Sequence, residues 1–328
     1  MHYNQGDLKS MRKVIESISI DASHAMDCRN QTHTLQTEIH ELQKQLLGLI
    51  DKKQAVSDDL FIQEFRALGS WIKSFSRDFE VGDMSQIMCI TDIRRSRLLN
   101  GARLPSGHVI SNINYLIEAY MWSILIQEIF DSPFLMLGYR YGDLTDSFTS
   151  LFGNDHQNEW PIPHENVERW KYQTIEHFVQ EVGFDAIAKG TPAPKNPVMA
   201  ESISYQRESV IKHIAKPLTC LKTNLEFGNL RAIVNKAFKL SLQMNLQRCR
   251  LQAVFPTVGD GFRRENHHGL TSVKECEDVK RGVVAFTVNP GLAKWGDTHG
   301  QNLRERVDLV PTLVYVQPPA TIKREYID

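Results

Sequence analysis

Hydrophobic residues recur at helical spacing over most of the chain, and they are densest in residues 109–137, VISNINYLIEAYMWSILIQEIFDSPFLML. The apolar positions of this stretch lie nearly all around a helix, which predicts a central helix that is buried on every side. Glu118, Gln127 and Glu128 interrupt the apolar run. Because a membrane span needs about 20 predominantly apolar residues, we expect a core helix and no membrane association.

The N-terminal segment, residues 7–56, has a helical pattern and no proline. Its apolar side chains alternate at spacings of four and three, which is the spacing that a coiled-coil seam requires. The seam consists of Leu35, Ile39, Leu42, Leu46 and Leu49. We predict an N-terminal coiled coil or long helical hairpin that mediates self-association or binds a protein partner. The alternative is a long helix packed on its own domain.

A second helical seam begins after Ser57, a residue type that caps helices, and Asp58 and Asp59 suit the positive end of the helix dipole. Its large apolar residues are Phe61, Phe65, Leu68, Ile72, Phe75 and Phe79. Further helices are predicted over 163–188, 198–220 and 224–252. The proline-rich linker 191–197, TPAPKNP, separates the first two because a helix cannot continue through it.

The hydrophobic pattern changes in the last quarter of the chain. Three short runs rich in β-branched residues, 253–258, 282–288 and 309–316, are bounded by glycine and proline and predict strands. We therefore predict a mainly α fold with an N-terminal coiled coil, a multi-helix body and a small β-containing C-terminal part. The predicted divisions are 1–56 for the coil, 57–252 for the helical body, 253–316 for the β-containing subdomain and 317–328 for the tail.

Composition limits the classes of protein to consider. The 328 residues are 41% hydrophobic and carry a formal net charge of -1, so no overall charge directs the chain to a polyanion. Five widely spaced cysteines without a CxxC pair argue against a disulfide framework or a cysteine-rich zinc site. The first residues have no apolar segment typical of a secretory signal. We expect a cytoplasmic or nuclear protein.

Positive charge is concentrated in residues 207–264, which suggests a nucleic-acid-associated protein as an alternative function. Nucleic-acid binding needs these side chains on one face. The charges do not follow one helical face, since Lys236 and Lys239 flank Phe238 and Arg248 and Arg250 lie two residues apart. Pairing with acidic residues elsewhere in the fold is the favoured interpretation.

The C-terminal loop, residues 289–302, is a second alternative site, for a small ligand, a metal or a reaction. Trp295 offers a stacking surface, and Asp297 with His299 resembles an acid-base or metal-binding pair. The favoured interpretation is that Trp295 fills the interior while the polar residues hold the loop. The candidate metal ligands are His267, His268, Asp297 and His299, and their spacing does not ensure that they converge.

No sequence motif for catalysis is present. The chain has no GxSxG, GxxxxGK[ST] or HExxH motif, and no GxGxxG after a strand, so the usual arrangements for a nucleophile, a phosphate or zinc are missing. We expect no cofactor and no metal, and we favour a binding protein over an enzyme. The predicted function is that of an intracellular protein-interaction or scaffold protein.

Three segments carry a resemblance to other proteins. These are YLIEAYMWSILIQEIF at 115–130, VNPGLAKWGDTHGQNL at 288–303 and LVPTLVYV at 309–316. In their order along the chain they resemble a family of uncharacterised filamentous-fungal proteins with a coil, a helical body and a terminal Pro-Gly-Leu segment. The resemblance implies a fungal protein of the cytoplasm or nucleus, and it implies no particular activity and no catalytic residues.

Overall fold

The computed structural model of the chain describes residues 12–13, 26, 29–39, 56–79, 93, 95–102, 113–152, 163–191, 195–264 and 269–318. The chain divides into two compact units, 1–55 and 56–328. In the first unit, residues 29–39 are helical and exposed throughout. The predicted coiled coil is not shown, because Leu35 and Ile39 are 58% and 54% exposed and the rest of the seam, Leu42, Leu46 and Leu49, lies outside the described residues.

Helix α1 (Asp58–Ser76) opens the second unit at the predicted cap. The hydroxyl oxygen of Ser57 accepts a hydrogen bond from the amide of Leu60 at 3.4 Å, which satisfies one of the free donors of the first turn. The predicted seam is the buried face of this helix: Phe61, Phe65, Leu68, Ile72 and Phe75 are buried, as is Phe79 just beyond its end. Burying this face packs α1 against the rest of the core.

Helix α2 (Ile113–Leu125) is the central helix that the sequence predicts, and it continues as a π-helical turn, Ile126–Phe130. Every residue from Leu116 to Ile126 is buried, including Glu118. Other elements cover α2 on several sides, because α1 and a later helix and strand all contact it. Among the described helices, none combines the length and the apolar character that crossing a membrane would require.

Five more helices follow in the described part of the chain. The 3-10 turns Leu135–Leu137 and Tyr139–Tyr141 lead into the following helices: α3 (Gly142–Phe152), α4 (Glu165–Val182), α5 (Phe184–Lys189), α6 (Pro197–Leu221) and α7 (Phe227–Asn245). Helix α6 begins where the proline-rich linker ends, and the side-chain oxygen of Asn196 accepts a hydrogen bond from the amide of Met199 at 3.1 Å. Proline suits the first turn because it has no amide hydrogen to satisfy there.

Among the described residues of the C-terminal region, seven strands form two sheets: β1 (Arg250–Val254), β2 (Gly261–Arg263), β3 (Leu270–Ser272), β4 (Arg281–Asn289), β5 (Gly291–Trp295), β6 (Arg306–Val310) and β7 (Thr312–Gln317). One sheet has the antiparallel order β1-β5-β6. The other has the order β2-β4-β7-β3, in which β3 is parallel to β7 and the other pairs are antiparallel.

The prediction of a mainly α fold with a small β part is therefore wrong, because two sheets accompany the helices. Four strands went unpredicted for a physical reason. Strands β2 and β3 have three residues each, and β5 and β6 have five, so each is too short to show a clear alternation. Hydrogen bonds to partner strands that are distant in the chain define these elements.

Candidate binding cleft

The first candidate site from the sequence is the C-terminal loop, residues 289–302. Trp295 is 4% exposed and packs with Val254 and Ala293 in a small apolar cluster. The guanidinium of Arg306, from the neighbouring strand β6, lies 5.4 Å from the centre of the indole ring. Trp295 thus anchors the three-stranded sheet.

Asp297 organises the backbone of the same loop. One of its carboxylate oxygens accepts hydrogen bonds from the amides of His299 and Gln301, both at 2.9 Å, and the other accepts one from the Asn302 side chain at 3.5 Å. The hydrogen bond from the Gln301 amide, helped by that of His299, lowers the pKa of Asp297. His299 is exposed. Neither of the clefts described below is lined by these residues, and a ligand site in this loop stays a prediction.

The candidate metal ligands are only partly visible. His267 and His268 lie outside the described residues. Within the described ranges, no three His, Cys, Asp or Glu side chains come together in a group that could hold a metal ion.

Positive residues of the 207–264 stretch pair with acidic residues on other elements. Arg231 of α7 forms an ion pair with Glu208 of α6. Lys236 and Lys239, also on α7, lie 2.5 and 3.8 Å from the carboxylate of Glu64 on α1. These ion pairs contribute to the packing of α1, α6 and α7. For these three residues, the predicted pairing of positive with acidic side chains is present.

Two arginines of this stretch are buried. Arg207 donates a hydrogen bond to the backbone carbonyl of Ile187, and its guanidinium lies 4.6 Å from the ring centre of Phe238. Burial lowers the pKa of Arg207 to about 10. Arg250 is buried beside Glu168 at 2.6 Å. Neither arginine is placed to contact a phosphate backbone, so the geometry offers no argument for nucleic-acid binding by these two side chains.

A surface cleft of about 380 Å³ lies where the second 3-10 turn meets helix α6. We call it the tyrosine cleft, and it is lined by Tyr139, Arg140, Glu201, Ser202 and Tyr205. Its volume is within the range typical of ligand sites, about 300–1,000 Å³. Both of its walls are elements of the folded body.

Two exposed tyrosines form the rim of the tyrosine cleft. Tyr139 is 65% exposed and Tyr205 is 63% exposed, although both rings are large and mostly apolar. Their ring centres lie 5.7 Å apart at 75°, an edge-to-face arrangement that suits the charge distribution of aromatic rings. The guanidinium of Arg140 lies 5.8 Å from the ring centre of Tyr139. The rim is therefore a small, preformed aromatic surface.

The floor of the cleft is fixed by a close backbone approach. The hydroxyl of Ser202, which is buried, donates a hydrogen bond to the carbonyl of Leu137 at 2.9 Å. Gly138 has a φ of 89°, and a Cβ there would lie 2.7 Å from both the carbonyl and the hydroxyl oxygen of Ser202. Only glycine fits this position. The turn that carries Tyr139 is thus held firmly against the helix that carries Tyr205.

The cleft also carries both signs of charge. Arg140 contributes a cation and Glu201 contributes an anion. Within the part of the chain that the structure describes, neither forms a salt bridge. The two groups are thus available to hydrogen-bond a ligand with polar or charged groups of either sign.

Sequence reasoning missed this cleft because its two tyrosines come from segments far apart in the chain. A weak signal exists on each side: Gly-Tyr-Arg-Tyr at 138–141 follows the buried helix, and Glu201 and Tyr205 share one face of α6. Comparison with protein-family models, with curated proteins and with solved structures found no match to this chain. Its function is therefore inferred from the geometry.

Proposed function

We propose that this chain is a protein-interaction protein that binds a peptide segment of a partner in the tyrosine cleft. The observation that carries the proposal is the pair of tyrosines, each more than 60% exposed, that line one cleft. Tyrosine and arginine are enriched among the residues that dominate binding energy at protein interfaces. The chemistry of the rim, with Arg140 beside Tyr139, matches that pattern.

The two exposed tyrosines of the cleft favour a peptide as the ligand. Tyrosine offers a large contact area and loses little side-chain entropy on binding. Here the close approach of Gly138 to Ser202 holds the backbone that carries Tyr139 against α6, so little backbone ordering is needed when a ligand binds. An apolar side chain of the peptide packs on the rings, and its polar groups reach Arg140 or Glu201.

The cysteines support an intracellular setting for this interaction. Cys220, Cys249 and Cys276 are free thiols, and secreted interaction domains usually pair their cysteines. We propose the cytoplasm or the nucleus as the compartment in which the partner is met.

Loss of both tyrosines is expected to remove peptide binding. A displayed library of random peptides is selected on the full chain, and the affinities of enriched peptides are then measured by calorimetry. Tyr139→Ala with Tyr205→Ala should weaken binding by at least about tenfold, because truncating one such residue commonly costs more than 1 kcal/mol.

A matched control is Phe227→Ala, which removes another exposed aromatic ring at the start of α7. Phe227 lies beyond the C-terminal end of the 25-residue helix α6, whereas Tyr205 lies in its first half. This control should bind the selected peptides as the unmodified chain does. Selection of no peptide, or equal binding by the double variant, would show that the tyrosine cleft is not a peptide site.

A further inference from the structure

A second cleft lies between helices α1 and α7. We call it the Trp71 cleft, and it has a volume of about 300 Å³. Its lining is Trp71, Ser74 and Phe75 from α1, Asp78 from the turn that follows α1, and Asn229, Ala232 and Ile233 from α7. The α1 residues recur at helical spacing, so they form one continuous face. Because α1 and α7 pack directly on one another, both walls are fixed.

The aromatic wall of this cleft already contacts one ammonium group. The indole of Trp71 is 46% exposed, and the ammonium of Lys236 lies 5.2 Å from its ring centre. Such a distance allows an attractive cation–π contact. Lys236 pairs with Glu64 at 2.5 Å, and its hydrogen bond lowers the pKa of that carboxyl, which also pairs with Lys239. Glu64 therefore offsets part of the positive charge that a second cation in the cleft meets.

The polar groups of the cleft are mainly hydrogen-bond acceptors. Asp78 contributes a carboxylate that, among the described residues, forms no salt bridge. Asn229 uses its amide group to donate to Glu226 at 2.5 Å, so its carbonyl oxygen remains as an acceptor. The hydroxyl of Ser74 can accept as well. Acceptors, a negative charge and an aromatic face together favour a ligand that carries a cation with N–H donors.

We propose that the Trp71 cleft binds a primary alkylammonium group. The ammonium is held by the carboxylate of Asp78, and the alkyl chain lies along Phe75 and Ile233 toward the indole of Trp71. Trp71 lies near the C-terminal end of α1, and Asp78 follows two residues after the last residue of the helix. A lysine side chain of a partner and a free polyamine both present this chemistry.

The test is a calorimetric or NMR titration of the full chain with three probes. These are putrescine, Nα-acetyl-lysine methylamide and the uncharged n-butanol. We expect saturable binding of at least one amine and none of the alcohol. Tighter binding of putrescine would identify a free polyamine as the source, and tighter binding of the lysine derivative would identify a peptide.

Two variants and one control locate the binding. Asp78→Asn and Trp71→Leu should each weaken the binding of the preferred amine by about fivefold to tenfold. Asp59→Asn removes an exposed carboxylate from the first turn of the same helix, outside the cleft, and should leave binding unchanged. The proposal is overturned if neither amine binds, if n-butanol binds equally well, or if Asp59→Asn weakens binding as much as Asp78→Asn does.

Discussion

Replacing Glu168 by glutamine is expected to lower the free energy of unfolding by about 3–5 kcal/mol, the usual cost of breaking a buried ion pair. Glu168 is 1% exposed, and its carboxylate lies 2.7 Å from Lys171 and 2.6 Å from Arg250, which are 3% and 7% exposed. Lys171 also donates to the carbonyl of Cys249 at 3.1 Å. The substitution leaves two buried cations without their anion.

The direction of the Glu168 pKa agrees with this expectation. Burial raises the pKa of Glu168, but Lys171 and Arg250 more than compensate, and the pKa lies below its ordinary value of 4.5. The ionised form is therefore the one that the folded state stabilises. This contribution is fully present above pH 4.5 and is lost as the pH falls through the lowered pKa.

Urea unfolding at pH 7 measures the effect, and the chain supplies a matched control. Glu165 pairs with Arg169 on the surface of the same helix, at 2.6 Å, with both side chains at least 60% exposed. Glu165→Gln should cost less than about 1 kcal/mol. Apolar replacement of all three charges, by Glu168→Leu, Lys171→Met and Arg250→Leu, should recover most of the lost stability. A loss of stability for Glu168→Gln no larger than for the control would contradict the prediction.

Replacing Glu118 by glutamine is expected to stabilise the protein at alkaline pH. Glu118 lies on the buried face of α2 and is 2% exposed. Burial raises the pKa of Glu118 to about 7, against the opposing effects of Lys73, Ser76, Asn289 and the more distant Arg77. The folded protein thus holds a proton on this carboxyl at a pH where the unfolded chain releases it.

The hydrogen bonds around Glu118 can also accommodate the protonated form. The hydroxyl of Ser76 lies 2.9 Å from the carbonyl of Lys73 and 3.3 Å from Glu118, but it has one hydrogen and can donate to only one of them. A protonated Glu118 donates to Ser76, which then donates to Lys73. On the other side, Asn289 donates to Glu118 at 3.5 Å and accepts from the indole of Trp122 at 2.5 Å. Every donor in this series of hydrogen bonds then has an acceptor.

The sign of the pH dependence follows from the raised pKa. The stability associated with Glu118 is fully present below its unfolded pKa of 4.5 and is lost as the pH rises through about 7. Since one pKa unit corresponds to about 1.4 kcal/mol, ionisation of Glu118 costs the folded state about 3 kcal/mol at pH 8 and above. Glutamine keeps the neutral pattern of hydrogen bonds and avoids that cost.

Urea unfolding of Glu118→Gln and of the unmodified chain at pH 5 and pH 8.5 tests this prediction. The variant should gain stability relative to the unmodified chain at pH 8.5, and the gain should shrink at pH 5. The surface variant Glu165→Gln should show no comparable change between the two pH values. A variant that is less stable at both would mean that Glu118 is ionised in the folded protein.

The helical elements with long apolar seams could be predicted from the sequence. The seam from Phe61 to Phe79 and its cap at Ser57 are confirmed because capping and amphipathic spacing are local properties. The central helix is confirmed for the same reason. The predicted helix 224–252 ends earlier, at Asn245, and residues 250–254 form β1 instead. Five residues fit either pattern, and pairing with β5 decides between them.

The sheets and the tyrosine cleft could not be predicted because they depend on contacts between distant segments. In the sequence analysis Gly291–Trp295 belongs to the C-terminal loop 289–302, yet these residues form the middle strand of a sheet. Tyr139 and Tyr205 come together in one cleft only when the turn at Gly138 packs on Ser202. The burial of Trp295 agrees with the prediction that this residue fills the interior, since a large aromatic residue near strands usually fills a core.

The contact between α2 and β4 has a consequence for synthesis of the chain. Trp122 and Asn289, which join these elements, are 167 positions apart. At about 5–20 residues per second, a ribosome needs roughly ten to thirty seconds to add the intervening residues. During that interval the most apolar helix of the protein has been made but its covering strand has not. The nascent chain therefore presents a binding surface to chaperones until β4 emerges.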